Sequence, residues 1–197
     1  MLTVYLWEMT SMENDWLDTA LDIGFSTAAA IDPATLTVCA DVRAMCAEDR
    51  CHAYGKNWSC PPACGTLEEC SRRIKQYKQG VLLQTVGTLE DSFDYDGMMK
   101  LEQQHLAYFH KFSALMLEQC ASALCLGSGG CRICPQCAYP DPCRFPTKEY
   151  SSMEAYGLLV SQVCQDNGVR YYYGENTLAY TACILFSDSH IRTSFAV

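Results

Sequence analysis

The chain has 197 residues, of which 49% are hydrophobic and 19% charged, and its formal net charge is -9. This is the composition of a globular protein long enough to bury a real core, so disulfides are not needed for its stability. The acidic balance argues against nucleic acid and anionic membrane surfaces as partners, because proteins bind both through Lys and Arg.

The N-terminal stretch MLTVYLWEMTSMENDW has no basic region before its apolar residues and soon becomes acidic, so it is a poor signal peptide. No segment has the apolar length that is needed to cross a bilayer. We therefore expect a cytoplasmic protein. In a reducing compartment its fourteen cysteines are expected to be metal ligands or redox groups, and a secreted disulfide framework is the less favoured alternative.

Strand and helix signals alternate along the chain without a repeat or a linker, which predicts a single domain over residues 1–197. Residues 24–32 (GFSTAAAID) read as a weak strand. Residues 66–80 (TLEECSRRIKQYKQG) predict a helix with Thr66 as its N-cap and Gly80 near its end. Residues 81–87 (VLLQTVG) follow as a strand, because they are a short apolar run bounded by glycines.

The longest predicted helix spans about Asp96 to Ala121, where residues at three- and four-residue steps give one stripe: Met98, Leu101, His105, Tyr108, Phe112, Leu115 and Met116. Residues 122–130 (SALCLGSGG) predict a strand. A further helix is expected to begin at SSMEAYG, where Ser151 and Glu154 would form a capping box, and to end near Asn167 and Gly168. Residues 177–186 (TLAYTACILF) are the last strand. This order predicts an α/β fold with a small sheet of about four strands covered by helices, with α+β as the alternative.

The cysteines form two groups in loops beside this sheet. The first group lies at about 39–70 and the second at about 127–146. They contain Cys39, Cys46, Cys51, Cys60, Cys64 and Cys70, and Cys131, Cys134, Cys137 and Cys143, respectively. The other four, Cys120, Cys125, Cys164 and Cys183, lie in apolar segments and are expected to pack in the core. His105 and His110 are five residues apart on one helix, so they do not share a face and are expected to be core or surface histidines.

The second group, C-x2-C-x2-C-x5-C, is the more specific signal. Cysteines three apart in an irregular loop can turn their thiolates toward one centre while backbone amides point at the same place, as an iron–sulfur cluster requires. Pro135, Pro140 and Pro142 keep this loop out of helix and lower the entropy lost on ordering it. Zinc is the competing interpretation, although zinc sites usually place two C-x2-C pairs a dozen or more residues apart.

The first group contains the spacing C-x4-C-x8-C-x3-C, from Cys46 through Cys51 and Cys60 to Cys64. Cys39 or Cys70 could take the place of Cys64, or the site could hold only three thiolates. Three thiolates would leave one iron of a cluster open to water or substrate. His52 is a less favoured substitute for a thiolate.

Eight cysteines are therefore the predicted metal ligands: Cys46, Cys51, Cys60, Cys64, Cys131, Cys134, Cys137 and Cys143. Two further residues are expected beside the cofactors. Trp58 would shield the first site from solvent, and Arg144 would donate hydrogen bonds to a cluster or pair with a glutamate.

Three stretches together, CHAYGKNWSCPP, GSGGCRICPQCAYPDPCRFP and SSMEAYG, resemble a widespread bacterial and archaeal family of predicted metal-binding proteins, a domain of unknown function. The resemblance extends from about Gly24 to the last strand. It implies that metal is bound through Cys46, Cys51, Cys60, Cys131, Cys134, Cys137 and Cys143. Many members of that family come from anaerobes, which favours oxygen-sensitive iron–sulfur clusters over zinc. The resemblance implies no particular reaction.

These observations lead to three hypotheses. The first is an iron–sulfur protein with two 4Fe–4S clusters that exchanges electrons with a redox partner protein, and a homodimer is left open. The second is an enzyme whose first cluster, held by Cys46, Cys51 and Cys60, uses an open iron as a Lewis acid or sulfur acceptor. The third is a zinc-stabilised interaction module.

Overall fold

The computed structural model describes residues 15–187. The stretch on which the signal-peptide prediction depends lies almost entirely outside them. The elements run in the order α1 (residues 15–23), β1 (Thr27–Ile31), a 3-10 turn (Pro33–Thr35), α2 (Ala40–Ala47), α3 (Leu67–Ile74), β2 (Gln79–Thr88), α4 (Tyr95–Gln119), β3 (Ser122–Gly127), β4 (Ser151–Ser152), α5 (Val160–Asp166) and β5 (Thr177–Ser187). In this part of the chain, no helix is both long enough and apolar enough to cross a membrane.

The five strands form one mixed sheet in the order β1-β2-β5-β3-β4. The first three neighbouring pairs are antiparallel and β3 pairs with β4 in parallel. The α/β prediction is confirmed, and the sheet is larger than the expected four strands by the two-residue β4 at its edge. Because β4 makes only a short parallel pairing with β3, the alternating pattern of a longer strand is missing from its sequence.

Both faces of the sheet are covered, because alternate residues of the central strands point to opposite sides. Val81 and Ile184 pack with α1 and α4, whereas Leu82 and Leu185 pack with α3 and α5. The four cysteines expected in the core, Cys120, Cys125, Cys164 and Cys183, are all buried there. The result is a three-layer arrangement in which β2 and β5 are covered by helices on both sides.

Two helix boundaries differ from the prediction. The helix after Thr66 ends at Ile74, and Gly80 lies inside β2, where a Cβ would come within 2.7 Å of the Leu185 side chain. The capping box expected at Ser151 and Glu154 is wrong: Ser151 is in β4, a turn follows, and the helix begins only at Val160. Pairing with β3 occupies the backbone that a helix N-terminus would need.

The long helix α4 confirms the predicted apolar stripe, with Leu101, His105, Phe112 and Met116 buried. Phe109 is also fully buried although it lies outside the predicted stripe.

His105 is the most informative of these residues. Its Nδ1 lies 2.9 Å from Thr85 Oγ1, while its Nε2 is buried without a hydrogen-bond partner in the described structure. The histidine is therefore held neutral in the core, and burial lowers its pKa to about 4.

Acid should therefore destabilise the fold through His105. Its pKa is lowered from 6.5 to about 4 in the folded chain, so between these values only the unfolded chain takes up the proton. The free energy of unfolding should fall by about 3 kcal/mol from this source as the pH drops across that window. Denaturant unfolding at about pH 7 and about pH 4.5 measures the loss. His105→Gln should remove it, whereas His110→Gln, at an exposed position of the same helix, should retain most of it. An unchanged pH dependence in His105→Gln would contradict this assignment.

Candidate metal centre

The second cysteine group lies in the long connection between β3 and β4, at one edge of the sheet. Its four cysteines line a single cavity: Cys131, Cys134, Cys137 and Cys143. Trp58 and Arg144 line the same cavity, so both predicted cofactor-binding residues lie beside this group. Arg144 donates from Nη1 to the Gln136 carbonyl at 3.0 Å. Four sulfur donors around one cavity are the chemistry of a zinc site or of an iron–sulfur cluster.

Backbone amides also point at this group. The Cys131 sulfur accepts from the backbone N–H groups of Ile133 and Tyr150, which lower its pKa, although burial and the negative charges of Glu149 and Cys143 raise it overall. Such N–H···S contacts stabilise thiolate and tune the potential of a bound cluster. The donor set and the amides therefore fit a metal–thiolate centre.

An ion pair between the exposed Arg132 and the buried Glu102 connects this loop to the core. Arg132 Nη2 lies 2.8 Å from Glu102 Oε1, and Arg132 Nη1 donates to Glu102 Oε2 at 3.0 Å. Glu102 is buried on α4, whereas the side chain of Arg132 is partly exposed to solvent. A two-pronged contact of this kind restrains orientation as well as distance. It holds the backbone between Cys131 and Cys134 against the long helix.

The first cysteine group begins in α2, so its predicted loop at 39–70 contains a helix and the first turn of another. Cys46 lies in the last turn of α2, and the chain then turns at Asp49, whose carboxylate accepts from Tyr54 N at 2.9 Å and from Lys56 Nζ at 3.1 Å. The amide of Tyr54 and the ammonium of Lys56 lower the pKa of Asp49. These contacts close the turn that carries Cys51.

Cys46, Cys51 and Cys60 lie near enough for their charges to interact. Burial is the largest cause of the raised pKa of Cys46, and the negative charges of Glu154 and Cys51 add to it against the opposing effect of Arg43. Burial likewise raises the pKa of Cys60, to which Cys51, Cys46 and Cys137 contribute. A bound metal cation would offset the charge repulsion that raises the pKa of Cys46 and of Cys60.

The two cysteine groups are joined directly through Ser59, which is fully buried. Cys131 N donates to Ser59 Oγ at 2.9 Å, and Ser59 N donates to Asn57 Oδ1 at 3.0 Å. Asn57 Nδ2 in turn donates to the Cys131 carbonyl at 3.3 Å. Since Cys60 follows Ser59 and its charge interacts with Cys137, the two groups of sulfurs are held side by side.

Trp58 was expected to shield the first site but packs against the second loop. Its Nε1 donates to the Asp141 carbonyl at 2.9 Å, and its ring meets that of Tyr139 edge-on with centroids 5.0 Å apart. Trp58 therefore adds an apolar contact between the loops, on the wall of the second cavity. Limited solvent access of this kind affects the potential of a metal centre.

Cys64 is buried beside the first cysteine group, and its thiol donates to the Ala155 carbonyl at 3.6 Å. Its thiol interacts with Cys70 as a hydrogen-bond partner, which raises the pKa of Cys64. The same contact and the charge of Arg43 lower the pKa of Cys70 to about 7, against the effect of burial. Arg43 Nη2 lies 3.3 Å from Cys70 Sγ. The Cys64 thiol therefore interacts with Cys70 as well as with Cys60, and its role as the fourth ligand of the first site stays a prediction.

In the described residues no three His, Cys, Asp or Glu side chains converge closely enough to ligate one ion. The four thiols of the second group line a cavity and do not converge on one position. Zinc needs its sulfurs about 2.3 Å from a single centre, whereas each cysteine of a 4Fe–4S cluster binds a different iron and the sulfurs stay farther apart. Both kinds of centre use thiolate donors, so this donor set is compatible with either. The ligand assignments themselves stay predictions.

Sequence reasoning missed the polar residues that organise the site. Ser59 and Asn57 lie inside the cysteine motif, and their position between Cys51 and Cys60 is the only local signal for them. Glu154, predicted as a helix cap, instead has its carbonyl 3.9 Å from Cys46 Sγ. Burial raises the pKa of its carboxyl group. His52 is exposed and adopts a left-handed backbone conformation with φ of 58°.

Comparison with known proteins decides the family. Residues 29–186 match the family described as predicted metal-binding protein (DUF2284). The chain belongs to this family. No curated protein and no solved structure matches the chain. As a member of DUF2284, the chain is a cysteine-rich, predicted metal-binding protein, and the cysteine groups described above are its candidate ligands.

Proposed function

We propose that this protein carries two 4Fe–4S clusters and transfers electrons to or from a partner protein. The observation that carries the proposal is the single cavity lined by Cys131, Cys134, Cys137 and Cys143. It is supported by the backbone amides of Ile133 and Tyr150, which donate to the Cys131 sulfur. When bound, a cluster of this type supplies one-electron redox chemistry.

The second cluster would be held by the four cysteines of that cavity and the first by Cys46, Cys51 and Cys60. Their loops are connected through Ser59 and Trp58, which would keep the two centres at a fixed separation. The acidic surface of the chain, with a net charge of -9, would favour a partner of complementary charge. A cytoplasmic location suits such oxygen-sensitive groups.

A second candidate function is favoured by the position of Cys64. Because its thiol is engaged by Cys70, the first group offers three thiolates, and a cluster there would have one iron without a cysteine ligand. Such an iron can polarise a substrate as a Lewis acid or accept sulfur. The protein would then be an enzyme, with the second cluster supplying electrons.

Metal analysis under anaerobic conditions tests the proposal. We expect about eight irons and about eight acid-labile sulfides per chain, with a brown absorption that bleaches on addition of dithionite. The measurement combines iron, sulfide and zinc determination with visible spectra of the same sample. Stoichiometric zinc in a colourless protein would contradict the redox function and leave the zinc-stabilised interaction module.

A further inference from the structure

The hydroxyl group of Ser59 lies between one predicted ligand of each metal centre. Its Oγ accepts from Cys131 N at 2.9 Å and lies 3.7 Å from Cys60 Sγ. Cys131 belongs to the second cysteine group and Cys60 to the first, and Ser59 is fully buried between them. Because a buried hydroxyl group is removed from water, its single proton is directed to an acceptor within the protein.

Two acceptors are within reach of that proton. Ser59 Oγ lies 3.0 Å from Asn57 Oδ1 and 3.7 Å from Cys60 Sγ. Beside a neutral thiol, the shorter contact with the amide oxygen is the better hydrogen bond. A metal-bound thiolate carries negative charge, and hydrogen bonds to a charged acceptor are stronger than those to a neutral one. Rotation about one bond therefore turns the hydroxyl group from Asn57 to Cys60 when the first group binds metal.

The surrounding backbone holds these atoms in place. Cys60 N donates to the Asn57 carbonyl at 3.1 Å, which closes the turn that contains Ser59. Asn57 Nδ2 donates to the Cys131 carbonyl, so both backbone polar groups of Cys131 are bound by this turn. Gly130 covers the turn from the second loop, since a Cβ there would lie 3.3 Å from Cys60 Sγ and 3.4 Å from Ser59 Oγ. A hydrogen bond that is shielded from solvent in this way is electrostatically stronger than one in water.

We propose that Ser59 is a positioning residue that raises the redox potential of the first centre by donating its hydroxyl proton to the Cys60 sulfur. The inference rests on the proposed function, in which Cys60 holds a 4Fe–4S cluster. The reduced cluster carries one more negative charge than the oxidised cluster, so a hydrogen bond to a ligating sulfur stabilises it more. Donation to Cys60 also makes Ser59 Oγ a better acceptor for Cys131 N. One chain of hydrogen bonds thus links the backbone of the second centre to a ligand of the first.

Redox titration of the anaerobically purified full chain, followed by electron paramagnetic resonance, tests the proposal. Ser59→Ala removes the donor, so the one-electron equilibrium of the first cluster should shift about ten-fold toward the oxidised form, which is a potential about 59 mV more negative. Ser59→Thr retains the hydroxyl group and should restore most of the native potential. Ser161→Ala, which alters a serine of α5 outside both cysteine groups, should leave it unchanged. Cys134→Ala, which lacks one predicted ligand of the second group, identifies the signal of the first cluster.

The sign of the shift separates a lost hydrogen bond from a loosened loop. Water that entered a loosened loop would stabilise the reduced cluster and make its potential less negative. An unchanged or less negative potential in Ser59→Ala with its iron retained would overturn this inference and leave the two-cluster proposal standing, whereas zinc in place of iron would overturn both.

A second measurement uses the native chain and decides if Ser59→Ala does not retain iron. After brief exchange into D2O, electron–nuclear double resonance of the reduced protein should detect a deuteron coupled to the first cluster, because a hydroxyl proton exchanges faster than buried backbone amides. Absence of that deuteron would overturn the role of Ser59.

Discussion

Cys134→Ala should remove the metal of the second cysteine group and leave that of the first. Cys134 lines the cavity together with the three other cysteines of its group, and alanine offers no ligand atom. Iron should therefore fall from about eight to about four per chain, because each 4Fe–4S cluster depends on its own set of thiolates. Iron and sulfide determination, with electron paramagnetic resonance of the reduced protein, measures the change.

The matched control is Cys164→Ala. Cys164 is fully buried on α5 and accepts from Gln84 Nε2 at 3.6 Å, in the helix layer that contains α3 and α5. Its replacement creates a small space in the core and should leave the iron content unchanged. Full iron retention in Cys134→Ala would contradict the assignment of the second group. Complete iron loss from Cys164→Ala would show that metal content reports stability in general.

The sheet and the long helix could be predicted because their signals are local. The apolar spacing of α4 and the short β-branched runs of β2 and β5 depend only on which residues face the core. The turn at Ser151 could not be predicted. A capping box requires only residues of the right type at a three-residue spacing, but Met153 N donates to the Gly127 carbonyl and Cys39 N to the Gly157 carbonyl. These distant partners hold the segment as an edge strand and a turn.

The candidate site, like the fold, has features that could be predicted from the sequence and features that could not. Spacing identified both cysteine groups, since ligands in one loop are close in sequence as well as in space. It could not show that Ser59 accepts from Cys131 N, or that Trp58 reaches Asp141, because these contacts join loops more than seventy residues apart. The grouping of the second set of cysteines in one loop was therefore predictable from the sequence, whereas the polar contacts that connect it to the first group were not.

Mild oxidation should release about one iron from the first site and none from the second, because an iron without a cysteine ligand is the most weakly held. The first group offers Cys46, Cys51 and Cys60, while the thiol of Cys64 is engaged by Cys70. We expect iron to fall from about eight to about seven per chain on treatment with ferricyanide and to be restored by ferrous iron with a reductant. Iron determination before and after each step measures this loss, and paramagnetic resonance identifies the oxidised cluster.

Two variants assign that iron to its site. Cys134→Ala, which should contain only the first cluster, should lose the same single iron, whereas Cys60→Ala should lose none, because its remaining cluster has four thiolates. Cys64→Ala should behave like the native chain, since the Cys64 thiol interacts more strongly with Cys70 than with Cys60. If Cys64→Ala instead makes the first cluster unstable, four thiolates hold that cluster and its iron is closed to substrate. The first site would then transfer electrons only, as the second is proposed to do.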